Sequence, residues 1–105
     1  MKFKRGDSFS FAVTIKENTD DGLKPLIVNV DNIRCQVRTV GGNHVDDLIV
    51  ETTDIEGEYK FSSEDTSKYP IETLETDIEI NDEGIINSSQ TFKIQVEKDI
   101  TRIED

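Results

Sequence analysis

From Ser8 to Lys16 the chain alternates, with Phe9, Phe11, Val13 and Ile15 on one parity and Ser8, Ser10, Thr14 and Lys16 on the other. A helix would space its apolar positions by three and four; a repeat of two marks a strand with one buried face. The same repeat returns at Ile33, Cys35 and Val37, with Arg34, Gln36 and Arg38 between them, and stops at Gly41-Gly42-Asn43. A glycine stop followed by Leu48-Ile49-Val50 predicts a hairpin and its return strand. Polar residues Asp54 to Gly57 then turn the chain before Tyr59 and Phe61. Leu74, Ile78 and Ile80 alternate with Glu75, Asp77 and Glu79, predicting a strand with one wet, charged face. After the turn residues Asn81-Asp82-Glu83-Gly84, Phe92, Ile94 and Val96 make the last clear strand.

Two stretches are less regular. Asn18 to Gly22 has turn chemistry, and Pro25 precedes the short apolar run Leu26-Ile27-Val28, which reads as a short or edge strand. Ser62 to Pro70 is the one candidate for a helical turn, with Ser63 as its cap, Glu64 and Asp65 in its first turn and Pro70 ending it. The whole pattern predicts an all-β chain of about seven to eight short strands, a sandwich or small barrel. Its 105 residues form one domain spanning 1–105.

Composition adds a constraint on partners. The chain has 12 basic and 23 acidic residues and a net charge of −11, which argues against nucleic acid or an anionic membrane as a ligand. The surplus is uneven: residues 1–40 carry seven basic and five acidic groups, residues 41–105 five and eighteen. An apolar content of only 33% gives a small core, and association with copies or partners adds burial, so an oligomer or assembly part is expected. One cysteine, Cys35, makes no internal disulfide, and Met1 to Asp7 leads into the first strand without a signal-type apolar stretch. Synthesis in a cytoplasm without export is the expectation, with no membrane span.

Candidate chemistry is sparse. His44 is the only imidazole and lies beside a turn; Cys35 alternates with apolar neighbours, so its thiol points inward and makes a poor nucleophile. No catalytic residue, cofactor site or metal site is expected. Along a strand, Glu75, Asp77 and Glu79 are spaced roughly 6.8 Å apart, too far to cage a cation. The loops Asp20-Asp21-Gly22 and Asn81-Asp82-Glu83-Gly84 lack the spacing of a calcium loop and read as solvated turns. The acidic face leaves a second reading, an inhibitor that imitates nucleic-acid phosphates and binds a host nucleic-acid-binding protein. Arg5-Gly6-Asp7 is read as the turn into the first alternating strand rather than as an integrin ligand.

Several pieces recur in an order that resembles a known group. They are Lys4-Arg5-Gly6-Asp7-Ser8 before an alternating strand, Ile33 to Arg38, Gly57 to Phe61, Asp65-Thr66, Thr76 to Ile80 and Asp99-Ile100-Thr101-Arg102. Their order and spacing, from Lys4 to Arg102, are similar to small phage tail- and baseplate-associated proteins, including the N-terminal domain of upper baseplate proteins. The resemblance implies an immunoglobulin-like antiparallel β-sandwich with at most one short helical turn. It further implies a non-catalytic virion component of tail, baseplate or head fibre, partnered by other phage structural proteins and by copies of itself. The 105 residues include no fibre or receptor-binding region of the kind that follows in the group, so a connector or decoration rather than an adhesin is the expectation. Phe3 and the stretch Ile100 to Ile103, apolar residues beyond the clear core strands, are the expected interface; the competing reading is that they close the domain's own sheets.

Overall fold

The period-two stretches fold as strands whose apolar parity faces inward. The computed structural model describes residues 1–82, 85–88 and 91–98, and these form an all-β chain. Among them are eleven strands: β1 (Lys2–Lys4), β2 (Ser10–Thr14), β3 (Lys16–Thr19), β4 (Gly22–Pro25), β5 (Ile33–Thr39), β6 (His44–Asp47), β7 (Ile49–Thr52), β8 (Glu58–Ser62), β9 (Thr73–Asp82), β10 (Ile85–Ser88) and β11 (Phe92–Glu97). The count exceeds the seven or eight expected because the return strand after Gly42 breaks at buried Leu48 into β6 and β7, and because β1, β3, β4 and β10 are short pieces without a clear repeat.

Two sheets result. The larger has the order β1-β11-β9-β5-β6, with β10 attached to β9; the smaller has the order β2-β8-β7, and β3 and β4 pair as a separate hairpin. Every pairing is antiparallel except that of β1 with β11, where Phe3 lies opposite Val96. The chain crosses between these two sheets four times: at the β1–β2 turn, from β2 through the β3–β4 hairpin to β5, at Leu48, whose N–H still bonds the Cys35 carbonyl at 2.9 Å before β7 pairs with β8, and from β8 to β9.

Both sheets close on one core. From the larger come Ile33, Cys35 and Val37 of β5, Leu74, Ile78 and Ile80 of β9, and Ile94 and Val96 of β11; from the smaller come Tyr59 and Phe61, with Phe11 and Val13 half-buried beside them. Register explains the match of parities: Ile33, Cys35, Val37 and Thr39 lie opposite Ile80, Ile78, Thr76 and Leu74, so a slip of one residue would turn all of them to water. Phe61 is fully buried and lies between Phe11 and Val50 on the flanking strands.

Two local expectations are corrected. Leu26 to Val28 is not a strand, because the Tyr59 hydroxyl takes over its backbone: it donates to the Leu26 carbonyl at 2.8 Å and accepts from the Val28 N–H at 3.0 Å. Ser63 caps no helix; its hydroxyl donates instead to Asp46 at 2.7 Å, and after Ser62 ends β8 the chain to Pro70 makes one bend at Glu64 and a turn at Ser67 and Lys68. Among the described residues the one helical turn is a 3₁₀ piece at Val30–Asn32, where the side chain of Asn29 accepts from the Asp31 N–H at 2.9 Å.

Candidate functional site

β5 and β9 bring the charged residues of the larger sheet onto one outer face. Register sets Arg34 opposite Glu79, Gln36 opposite Asp77 and Arg38 opposite Glu75, and on the other side Lys93 of β11 also lies opposite Glu75. The row Glu75, Asp77, Glu79 is therefore flanked by cations rather than being a bare acidic strip. Arg34 approaches Glu79 at 3.8 Å with both side chains well solvated, a pair worth little in isolation. Arg38 turns to the hairpin, donating to the Gly42 carbonyl at 2.9 Å and to Gln36 at 3.0 Å. The groove between these strands is open and polar, lined by Gln36, Arg38, Glu75 and Asp77. Opposite charges across a pleated face stabilise pairing and register, and this array does that.

Cys35 lies in the core at 2% exposure, its Sγ 3.1 Å from the Thr76 hydroxyl. That hydroxyl donates to the Gln36 carbonyl at 2.8 Å, so the thiol is the donor to Thr76. Burial pushes the thiol up to about 11, against a smaller downward pull from Thr76. A protonated, enclosed thiol is a poor nucleophile. His44 is on the exposed β5–β6 hairpin, its Nε2 3.2 Å from Asp47, and contacts from His44 and then Gln36 hold the Asp47 carboxyl below its ordinary value. The core thiol and the solvated imidazole are on different sides of the sheet. Among the described residues, no three His, Cys, Asp or Glu side chains converge on a point where a cation would fit. No helix of the described residues is long and apolar enough to cross a membrane.

Phe3 packs inward: its ring stacks on Phe9 with centroids 4.5 Å apart and meets the edge of Tyr69 at 5.6 Å. Ile100 and Ile103 lie outside the described residues, as do Glu83 and Gly84 of the loop that begins at Asn81.

Two polar clusters were not legible from local pattern. Tyr69, 2% exposed, donates to Asp46 at 2.5 Å, and Ser63 donates to the same carboxylate oxygen. Burial first, then the Asp46 carboxylate, raises the phenol far above its ordinary range. Together these bonds tie the crossing between β8 and β9 to β6. The second cluster is at the β1–β2 corner, where buried Thr66 accepts from the Gly6 N–H at 2.9 Å and donates to the Asp7 carbonyl at 2.7 Å. Gly6 has φ of 95°, a conformation that favours glycine, and the Asp7 N–H bonds the Lys4 carbonyl at 3.0 Å. Arg5-Gly6-Asp7 is thus the turn between the two sheets.

No protein-family model matches the chain, and no curated protein or solved structure matches it either.

Proposed function

We propose that the chain is a non-catalytic structural or assembly module of a phage virion, in the tail, baseplate or head fibre, built on an immunoglobulin-like sandwich and acting through protein-protein contacts. One observation carries the reading. Two motifs on which the family resemblance rests, the Lys4-Arg5-Gly6-Asp7-Ser8 start and the Asp65-Thr66 turn, meet in space through the two Thr66 hydrogen bonds, although about sixty residues separate them. A pair of motifs joined in one corner has a physical reason to recur together, as unrelated coincidences would not.

Strand order supports the scaffold half of the proposal. The order β11-β9-β5 facing β2-β8-β7 parallels the G-F-C sheet facing B-E-D in immunoglobulin-like domains, with β6 added beside β5 and β3–β4 inserted between the equivalents of B and C. The alternation of Arg34, Arg38 and Lys93 with Glu75, Asp77 and Glu79 weighs against imitation of a phosphate backbone, which presents one sign of charge. The titratable groups with pronounced shifts, Cys35 and Tyr69, both serve packing.

Mass spectrometry of virions purified from the host that carries the gene is the test. The chain is expected among the particle proteins, with tail or head genes flanking its own. Its absence from particles, with capture of a basic host protein that weakens steeply as salt is raised, would replace this reading with that of an acidic inhibitor.

A further inference from the structure

β2 is the outermost strand of the smaller sheet, and its hydrogen-bonding phase is fixed at both ends. The Ser63 N–H bonds the Phe9 carbonyl at 3.0 Å and the Ile15 N–H bonds the Gly57 carbonyl at 2.8 Å, in the register that sets Phe11 opposite Phe61 and Val13 opposite Tyr59. Odd-numbered residues therefore turn their backbone groups to β8, and Ser10, Ala12 and Thr14 turn theirs outward. Among the described residues no partner takes those outward groups, and all three residues are exposed.

Natural sheets blunt such edges with charge, proline, bulges or brevity. Most other edges here follow that rule, and β10, which like β2 carries no charged residue, is only four residues long. β1 is three residues long with Lys2 and Lys4, β6 carries Asp46 and Asp47 beside a register shift at Val37/Arg38, β7 carries Glu51, and the β3–β4 hairpin has Lys16, Glu17, Lys24 and Pro25. β2 has none of these devices. In a chain of net charge −11, the stretch Ser8 to Ile15 is free of charge, so two copies can approach there without opposing carboxylates.

We infer that β2 is a self-association edge, where two copies pair antiparallel through Ser10, Ala12 and Thr14 about a two-fold axis at Ala12. This contact rests on the assembly reading above and gives it a location. The pairing is self-complementary: Ser10 faces Thr14 of the second copy, Ala12 faces Ala12, and every outward N–H and carbonyl finds a partner. On the inner side Phe11 lies opposite Val13 of the second copy, and both are half-buried in the single chain, so pairing covers apolar surface that one copy leaves partly wet. The result is one continuous sheet, β7-β8-β2 joined to its own image. A contact of one short strand is well below the roughly 800 Å² per partner of a stable interface, so the dimer forms at high local concentration, as in a multi-copy particle.

Engineered thiols test the register in the full chain. Directly opposed residues exchanging both hydrogen bonds have Cα atoms about 5.5 Å apart, within disulfide reach, so Ala12→Cys is expected to yield a disulfide dimer at least about tenfold faster than Ser10→Cys or Thr14→Cys alone. Those two positions are offset from their own images by four residues, roughly 14 Å, and they cross-link only when the Ser10→Cys and Thr14→Cys proteins are mixed. Native Cys35 does not interfere, being buried and protonated. Ala12→Lys sets two ammonium groups face to face and is expected to hold the chain monomeric in sedimentation at concentrations where the native chain dimerises, with an unchanged far-ultraviolet spectrum. Equal cross-linking at all three positions, or none at Ala12→Cys, overturns the inference. If that happens while the chain is found in particles, the edge is wrong and the assembly reading stands; register-specific cross-linking of a chain absent from particles gives the reverse.

Discussion

Phe61→Ala is expected to lower stability by about 3–5 kcal/mol, the range for removing a fully enclosed aromatic ring from a core. Phe61 is 0% exposed, stacks on Phe11 at 5.2 Å between centroids, and is flanked in its sheet by Phe11 and Val50. Neighbours held in strands on both sides collapse poorly into the space, which favours the upper part of the range. Domains of this size are stable by only about 5–15 kcal/mol, so the variant loses a large share of the total and its Tm falls by on the order of 15–30 °C. Lys60→Ala, one residue away on the exposed parity, is expected to change stability by no more than about 0.5 kcal/mol. Urea unfolding followed by circular dichroism measures both. Similar losses for the two variants would mean that β8 does not present one face to a core.

Gly57→Ala is the second large loss expected, for a different reason. Gly57 has φ of 78°, and a Cβ placed there would lie 2.7 Å from the Pro25 Cβ, 3.0 Å from the Ile15 carbonyl oxygen and 3.1 Å from the Pro25 Cα. Two of those three atoms are backbone, so relief requires moving the base of the β3–β4 hairpin off the smaller sheet. The left-handed conformation alone costs an alanine about 1–2 kcal/mol, and the contact brings the total to about 3 kcal/mol or more. Gly42, at φ of 95° with nothing within 4 Å of the same added atom, isolates the first contribution. Gly42→Ala is therefore expected to lose about 1 kcal/mol, and the gap between the two variants measures how closely the hairpin base approaches. Equal losses would show that the approach of Pro25 contributes nothing.

The residues that carry these effects differ in how visible they are in the sequence. Strands β2, β5, β8, β9 and β11 are each announced by alternation, because one face of each is buried and the other is wet along its length. β3 and β4 read Lys-Glu-Asn-Thr and Gly-Leu-Lys-Pro, and no repeat marks them because most of the hairpin is exposed on both faces. β1 is invisible for the opposite reason: three residues hold only one half-buried side chain, Phe3, and pairing with distant β11 makes them a strand.

Where local pattern misled, a partner far along the chain had taken over. The Leu26-Ile27-Val28 run is apolar enough for a strand, but the Tyr59 hydroxyl, some thirty residues on, satisfies its backbone. Ser63 has the chemistry of a cap and spends it on Asp46. The acidic row on β9 is plain in the sequence, whereas its interleaving with Arg34 and Arg38 follows only from the β5–β9 register, about forty residues apart. The exposed edge of β2 is half legible: freedom from charge between Ser8 and Ile15 can be read directly, and which backbone groups point outward requires the β8 pairing.

Amide hydrogen exchange of the dilute chain, resolved residue by residue by NMR, tests the two-sheet arrangement and the uncharged edge of β2 together. Slow exchange is predicted along β5 and β9, which have strands on both sides, and in β2 at Phe11 and Val13, with fast exchange at Ser10, Ala12 and Thr14 between them. Uniform protection from Ser10 to Thr14, or fast exchange throughout β9, would contradict the account.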